Sequence, residues 1–405
     1  MMKKLTALLL SMMMLLTLLP VLGQAEAVKL TMGSWRADDV EQMNNLLALY
    51  KEKTGVEIIF QPTIANEYNA TLRLQLDNGT GPDLMYARSY ATGVELFEAG
   101  YFADVTDIPG VKENFAASSL APWQTADGKM FAVPFAAVSH AVYYNKDIFE
   151  ANGLAIPQTF EEFMTVLQTL KDKGITPLGN GVADEWDILE CLFLGMLPNY
   201  VGGADERVKY ESGEKKLNDP AMVEAFTDLA KLAPYLPEGF SAVTYNDSAN
   251  LFAIEQAAMY VDGSWSAGTF GDVGFNWGVF AIPAPAGKQT RITFHPDMAI
   301  TMNAATKYPE EAKAFLAWLA SPEGATLASA QLPTGFYPMI NAPITLADPH
   351  ANEFLALNTG KETDARFVWP KMMDLYAPMN QEVIKVLKGE TTPQAAADAL
   401  AALKP

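Results

Sequence analysis

Cysteine is almost missing. Cys191 is the only one in 405 residues, so no disulfide forms within the chain and no thiolate metal cluster is available. A cysteine at an export cleavage site, which a lipid-anchored exported protein needs, is lacking as well. Histidine is nearly as scarce, and His140, His295 and His350 are too scattered for HExxH-type zinc spacing. Basic residues are few, 28 Lys and Arg against 48 Asp and Glu, for a formal charge of −20. That balance repels nucleic acid and anionic lipid and argues against both as partners. No GxxxxGK[ST] phosphate loop, GxSxG elbow or strand-linked GxGxxG is present. The carboxylate pairs Asp38-Asp39 and Glu161-Glu162 fall at helix starts, where negative charge suits the helix dipole, so they read as capping groups rather than a glycosidase pair. No cofactor or metal is expected.

The one long apolar run is Leu5–Leu19, preceded by Lys3 and Lys4 and followed by Pro20 and Ala25-Glu26-Ala27. It is shorter than the roughly 20 residues of a membrane-spanning helix. The pattern predicts a cleaved export signal over 1–27 and a product free in the periplasm, with secretion as the alternative. The chain beyond Ala27 is long enough for two cores, since single domains usually hold about 100 to 200 residues.

Lys29–Ser34 reads as a strand, and Asp38-Asp39 then opens a helix with Val40, Met43, Leu46, Leu47 and Tyr50 on one face. Gly55 stops it, Val56–Phe60 is the next strand, and a second helix runs through Tyr68, Leu72 and Leu76 to Asn78-Gly79. Asp83–Ala87 closes this βαβ opening, which implies a largely parallel sheet with ligands beyond the carboxyl ends of its strands. Phe131–Asn145 is apolar enough for a buried strand. Helical patterning is predicted at Phe160–Lys173, Pro220–Leu232, Ala249–Met259, Pro309–Ala320, Pro370–Lys388 and Gln394–Leu403, with a strand at Met298–Met302. Tryptophans stand where elements end: Trp35 after the first strand, Trp186 in the loop from Gly181 to Asp187, and Trp265 after the segment Ala257-Ala258-Met259. Each has polar neighbours, a combination that suits the C–H faces and hydroxyls of neutral sugars and is equally compatible with ordinary core aromatics.

Landmarks occur in a defined order: Gly81-Pro82-Asp83-Leu84, Ala99-Gly100-Tyr101-Phe102-Ala103-Asp104, Gly128-Lys129-Met130-Phe131-Ala132-Val133-Pro134, and Val142-Tyr143-Tyr144-Asn145-Lys146-Asp147. Next are Ala257-Ala258-Met259 with Gly263-Ser264-Trp265, then Ser321-Pro322-Glu323-Gly324. In this order the chain resembles the family 1 extracellular solute-binding proteins of ABC importers, over essentially all of the sequence after the signal. The resemblance implies a two-lobed α/β fold, each lobe a mainly parallel sheet flanked by helices, joined by a multi-crossing hinge. The lobes would comprise 28–136 with 294–346, and 137–293 with 347–405. Crossings are expected near Ala136–His140, near Thr293–Met298 and between Ala347 and Trp369.

Carried over position by position, the resemblance implies a substrate site of Trp35, Arg36 and Asp38 with Arg88, Ser89 and Tyr90 from the first lobe. Ser139 and His140 come from the hinge. Trp186, Asp187, Asp262 and Trp265 come from the second lobe, with His295, Asp297 and Tyr376 completing the cleft. It also implies a binding protein rather than an enzyme, a sugar or oligosaccharide as ligand, the permease subunits of an importer as partner, and a monomer. Arg36, Arg88 and Arg366 leave room for an acidic sugar. A glycerol phosphodiester or other small polar solute, an exported carbohydrate-active enzyme and a sensory receptor are the alternatives.

Overall fold

The computed structural model describes residues 28–184, 186–342, 346 and 348–404. The export signal expected over 1–27 lies outside the described residues. The chain opens as β1 (Lys29–Ser34), α1 (Val40–Thr54), β2 (Glu57–Pro62), α2 (Ala65–Asp77), β3 (Leu84–Ala87) and α3 (Tyr90–Glu98). The apolar stripe of α1, Met43, Leu46, Leu47 and Tyr50, is buried, and Gly55 ends the helix in the left-handed region at φ 76°. Asp39 takes the N-cap position, but its side chain makes no capping bond. The carboxylate expected to cap α1 binds Arg36 instead.

The 13-residue strand β4 (Val133–Asn145) is buried throughout. After it come α4 (Phe160–Asp172), β5 (Thr176–Leu178), a π-helix (Asp187–Phe193), α5 (Pro220–Leu232), α6 (Tyr245–Ala253), β6 (Ala257–Gly263) and β7 (Trp277–Phe280). Next are β8 (Ile292–Met302), α7 (Pro309–Leu319), α8 (Pro322–Ala330), β9 (Tyr337–Pro338), α9 (Pro349–Asn358), β10 (Thr363–Asp364), α10 (Tyr376–Leu387) and α11 (Pro393–Leu403). Two boundaries differ from expectation. The helix predicted over Ala249–Met259 ends at Ala253, where Glu255 turns the chain at φ 61°, and Ala257-Ala258-Met259 belong to β6. An apolar run covered on both sides carries no period to separate strand from helix. The segment Pro370–Leu375 is turn and 3₁₀ structure, and the helix begins at Tyr376.

The sheet order is β2-β1-β3-β8-β4-β6-β5, with β10 beside β8 and β7 and β9 beside β4. Pairing is parallel for β1 with β2 and β3, for β5 with β6 and for β10 with β8. The long strands β4 and β8 pair antiparallel with each other and with most of their other neighbours. They also hold the centre of the sheet and join its two sides. β4 pairs β8 from Val133 to Ser139, then pairs β6 and β7 from His140 onward. β8 reaches β3 through Ala299–Met302 and β10 through Ile292-Thr293. Register shifts on both sides of Ala136 mark the β4–β8 ladder at this passage, the local irregularity by which paired strands bend.

Apolar burial is divided accordingly. One core joins Leu30, Met32, Leu46, Tyr50, Leu72, Phe131, Ile300, Phe315 and Leu316. Another joins Phe163, Leu167, Phe193, Phe226, Met259, Val368, Val383 and Leu400, and a third packs Tyr143, Phe252, Phe270, Trp277 and Phe354 on the other face of β4 and β6. Among the described residues no helix is long and apolar enough to cross a membrane.

Candidate functional site

The loop after β1 carries Trp35 and Arg36. Trp35 is buried, with Tyr68 and Tyr86 edge-on at 5.5 and 5.3 Å, and the Arg88 guanidinium lies 3.7 Å from its ring centre. Its free face is thus covered by a cation. Arg36 forms a two-pronged pair with Asp39, Nε to Oδ2 at 2.6 Å and Nη2 to Oδ1 at 2.7 Å, and lies over Phe336. Asp38, the expected carboxylate, is exposed; Asp39, one residue on, faces the arginine. Ser89 is buried with no partner for its hydroxyl among the described residues, and Tyr90 sits at φ 57° at the start of α3. Burial pushes the Tyr90 hydroxyl up to about 12, with Arg207 opposing and Asp364 and Glu211 adding.

Ser139 and His140 lie on β4 where it leaves β8. The Ser139 N–H donates to Ser264 Oγ at 3.0 Å, and Ser264 Oγ donates to the Gly335 carbonyl at 2.5 Å. Gly335 holds φ 91°, and a Cβ there would meet the Ser264 carbonyl oxygen, so no other residue fits this approach. His140 Nε2 stands 3.4 Å from His295 Nε2, linking the two hinge strands. Burial, with the Arg366 charge, holds both imidazoles well below the ordinary histidine range. Asp297, also on β8, is buried; it makes no ion pair among the described residues but lies in the field of Arg36 and Arg88.

The π-helix carries Asp187, Glu190 and Cys191, all three buried. Asp187 is buried and accepts from Asn180 Nδ2 at 3.0 Å, Gly181 N at 3.4 Å and Ser248 Oγ at 2.8 Å. Burial and the neighbouring Asp262 push it up to about 8. Asp262 is likewise saturated, by Cys191 Sγ, Tyr245 OH and Ser266 Oγ at 3.1, 3.0 and 2.5 Å, and burial raises it. Both carboxylates hold the loop and strand ends that carry the aromatic rings. Trp186 lies 3.9 Å from Tyr245, centre to centre, and 6.3 Å from Trp265, whose Nε1 donates to the Tyr245 hydroxyl at 2.9 Å.

Arg366 Nη1 binds Glu190 Oε2 at 2.6 Å, and Tyr376 donates to Glu190 Oε1 at 2.6 Å. The Arg366 guanidinium lies 4.4 Å from the Trp369 ring and 5.5 Å from that of Trp265. The structure thus brings together His140, His295, Trp186, Trp265 and Tyr376. Trp35 sits in the first lobe's core and Asp38 on its surface. Glu190, Tyr245 and Trp369 were not singled out by the sequence, although Glu190 is the only charged residue between Ile188 and Leu197. Of the three arginines, Arg36 and Arg366 are each paired with a carboxylate, whereas Arg88 covers Trp35 and donates from Nε to Asn69 Oδ1 at 3.3 Å.

The model of the bacterial extracellular solute-binding protein family matches residues 34–326. The chain belongs to this family. The multiple sugar-binding protein of Streptococcus mutans serotype c is 27% identical to this solute-binding protein over 282 residues, which is 66% of this chain and 65% of that relative's length. A structure from work on xylan utilisation by the thermophilic bacterium Caldanaerobius polysaccharolyticus superposes with a TM-score of 0.83 at 18% identity, over 93% of this chain and 100% of that one. The binding protein RafE in complex with raffinose superposes with a TM-score of 0.74 at 23% identity, over 93% and 98% of the two chains. These likenesses establish the two-lobed fold of this solute-binding protein.

Proposed function

We propose that this solute-binding protein captures a neutral sugar or oligosaccharide between its two lobes and delivers it, unaltered, to the membrane permease subunits of an ABC importer. It acts as a monomer outside the cytoplasm. The moving bodies are 28–136 with 294–346 and 137–293 with 347–405, turning about β4, β8 and the segment before Trp369, and both lobes' contacts to the ligand favour the closed state.

The observation that carries this reading is the set of polar atoms left without partners where the lobes meet. Ser89 Oγ and Trp369 Nε1 are buried and unbonded among the described residues. Unmade bonds of this kind are costly, and a polyhydroxyl ligand satisfies them. Beside them stand the rings of Trp186, Tyr245, Trp265 and Trp369, which suit the C–H faces of a sugar. The charges cancel locally, which favours an uncharged ligand over an acidic one. The relatives named for multiple sugars and for raffinose agree with this choice. A glycerol phosphodiester is the second reading, and Arg88, which makes no ion pair among the described residues, is the observation that favours it.

A thermal-shift screen with neutral mono- and oligosaccharides, uronic acids and glycerol phosphodiesters tests the choice. The expected result is a rise in Tm of several degrees with one neutral sugar class at saturating concentration. A rise with phosphodiesters alone selects the second reading, and a response to none removes both.

A further inference from the structure

Five side chains around the cleft close into a ring. Trp265 meets the Arg366 guanidinium at 5.5 Å, Arg366 meets Trp369 at 4.4 Å, and Trp369 meets His295 at 5.1 Å between ring centres. His295 reaches His140 at 3.4 Å between nitrogens, and His140 returns edge-on to Trp265 at 5.4 Å. The members come from β4, β8, the loop after β6 and the segment between β10 and α10. Arg366 alone in this ring carries a fixed charge. It is buried, and its one ion-pair partner among the described residues is Glu190, whose other oxygen is taken by Tyr376.

We propose that Arg366 is the positioning residue of the sugar site: its planar cation sets the spacing and tilt of Trp265 and Trp369, and Glu190 fixes the cation. The inference rests on the sugar reading above and assigns this arginine a role other than anion capture. The chemistry requires arginine. A guanidinium offers two flat faces to aromatic rings while its edge binds a carboxylate, whereas an ammonium is a compact, strongly hydrated point charge with no face. Glu190 already cancels the charge, so an acidic ligand group has nothing to gain there. Through His295 and His140 the same ring ties the two indoles to both hinge strands, so the site's walls and the hinge share one packing unit.

The test compares wild type, Arg366→Lys and Glu190→Gln with raffinose, maltotriose and xylotriose as probes, by calorimetry and tryptophan fluorescence. For whichever probe the wild type binds, Arg366→Lys is expected to weaken binding by about tenfold or more and to remove the sugar-induced fluorescence change. Its far-UV circular dichroism should stay that of the wild type, while the near-UV tryptophan bands alter before any sugar is added. Glu190→Gln keeps the stacked cation but loosens its anchor, so its loss is smaller than that of Arg366→Lys. Wild-type affinity and fluorescence response in Arg366→Lys overturn the proposal. If that variant does not fold, unchanged binding by Glu190→Gln overturns it instead. Failure of the wild type to bind any of the three sugars, together with no response to any neutral sugar in the thermal-shift screen, overturns the sugar reading itself, a result distinct from variants that bind as well as wild type.

Discussion

At Asp187 three donors converge on one carboxylate: the Asn180 amide, the Gly181 N–H and the Ser248 hydroxyl. Both of its oxygens are engaged within the protein. The residue pins the loop that ends in Trp186, and Trp186 in turn lies against Tyr245. Replacing Asp187 with Ala orphans several buried polar groups at once, so a loss of about 3 kcal/mol is expected on the usual scale for unmade buried bonds. Urea unfolding measures it, and sugar affinity should fall with it as Trp186 loosens. A change below about 0.5 kcal/mol, the range of ordinary surface substitutions, would show that the three bonds hold nothing. The same distinction between holding and touching explains which site residues could be read from the sequence. Residue types in loops beside aromatic rings were legible. Which of two adjacent acids faces inward was not, because Asp38 and Asp39 differ only in direction, and direction is set by where Arg36 packs.

Among the elements, α1, α2, α4 and α5 were legible because each shows one apolar face to a core, and β4 because its unbroken apolar run fits a strand covered on both sides. The start of β6 patterns as the end of a helix for the same reason that β4 patterns as a strand. Both are buried throughout, and only the left-handed turn at Glu255, a rare conformation for glutamate, separates α6 from β6. The hinge strands carry a consequence for acid. His140 and His295 are held neutral by burial and by Arg366, and their mutual contact adds to the effect at His140; lobe opening is expected to hydrate them. Depressed imidazoles mean that the closed state binds fewer protons than the open one. Closure, and sugar affinity with it, is therefore fully favoured above the ordinary histidine range near pH 6.5 and is lost as pH falls below it. Titrations from pH 7.5 down to 5 should show Kd flat at first and then rising by up to about tenfold per pH unit for each histidine involved. A His295→Gln variant should show a shallower rise. A wild-type Kd that stays level to pH 5 would contradict the coupling.

For the whole molecule, the order of landmark segments conveyed the family, and the family conveyed two lobes and a hinge. The cleft's charge balance lay beyond reach of the sequence, since Arg366 meets Glu190 across 176 positions only after the π-helix and the late crossing segment fold together. The proposal of a neutral ligand rests on that balance. The chain's formal charge of −20 says little about this region, where Arg36 pairs with Asp39 and Arg366 with Glu190. Capture of a neutral sugar without chemistry is open to a single experiment: a calorimetric titration with a neutral oligosaccharide and its uronate counterpart, followed by recovery of the sugar. Saturable binding of the neutral sugar with a negative heat-capacity change, weaker binding of the uronate, and a sugar recovered intact are the predicted results. Tighter binding of the uronate, or release of a hydrolysed product, would contradict that function.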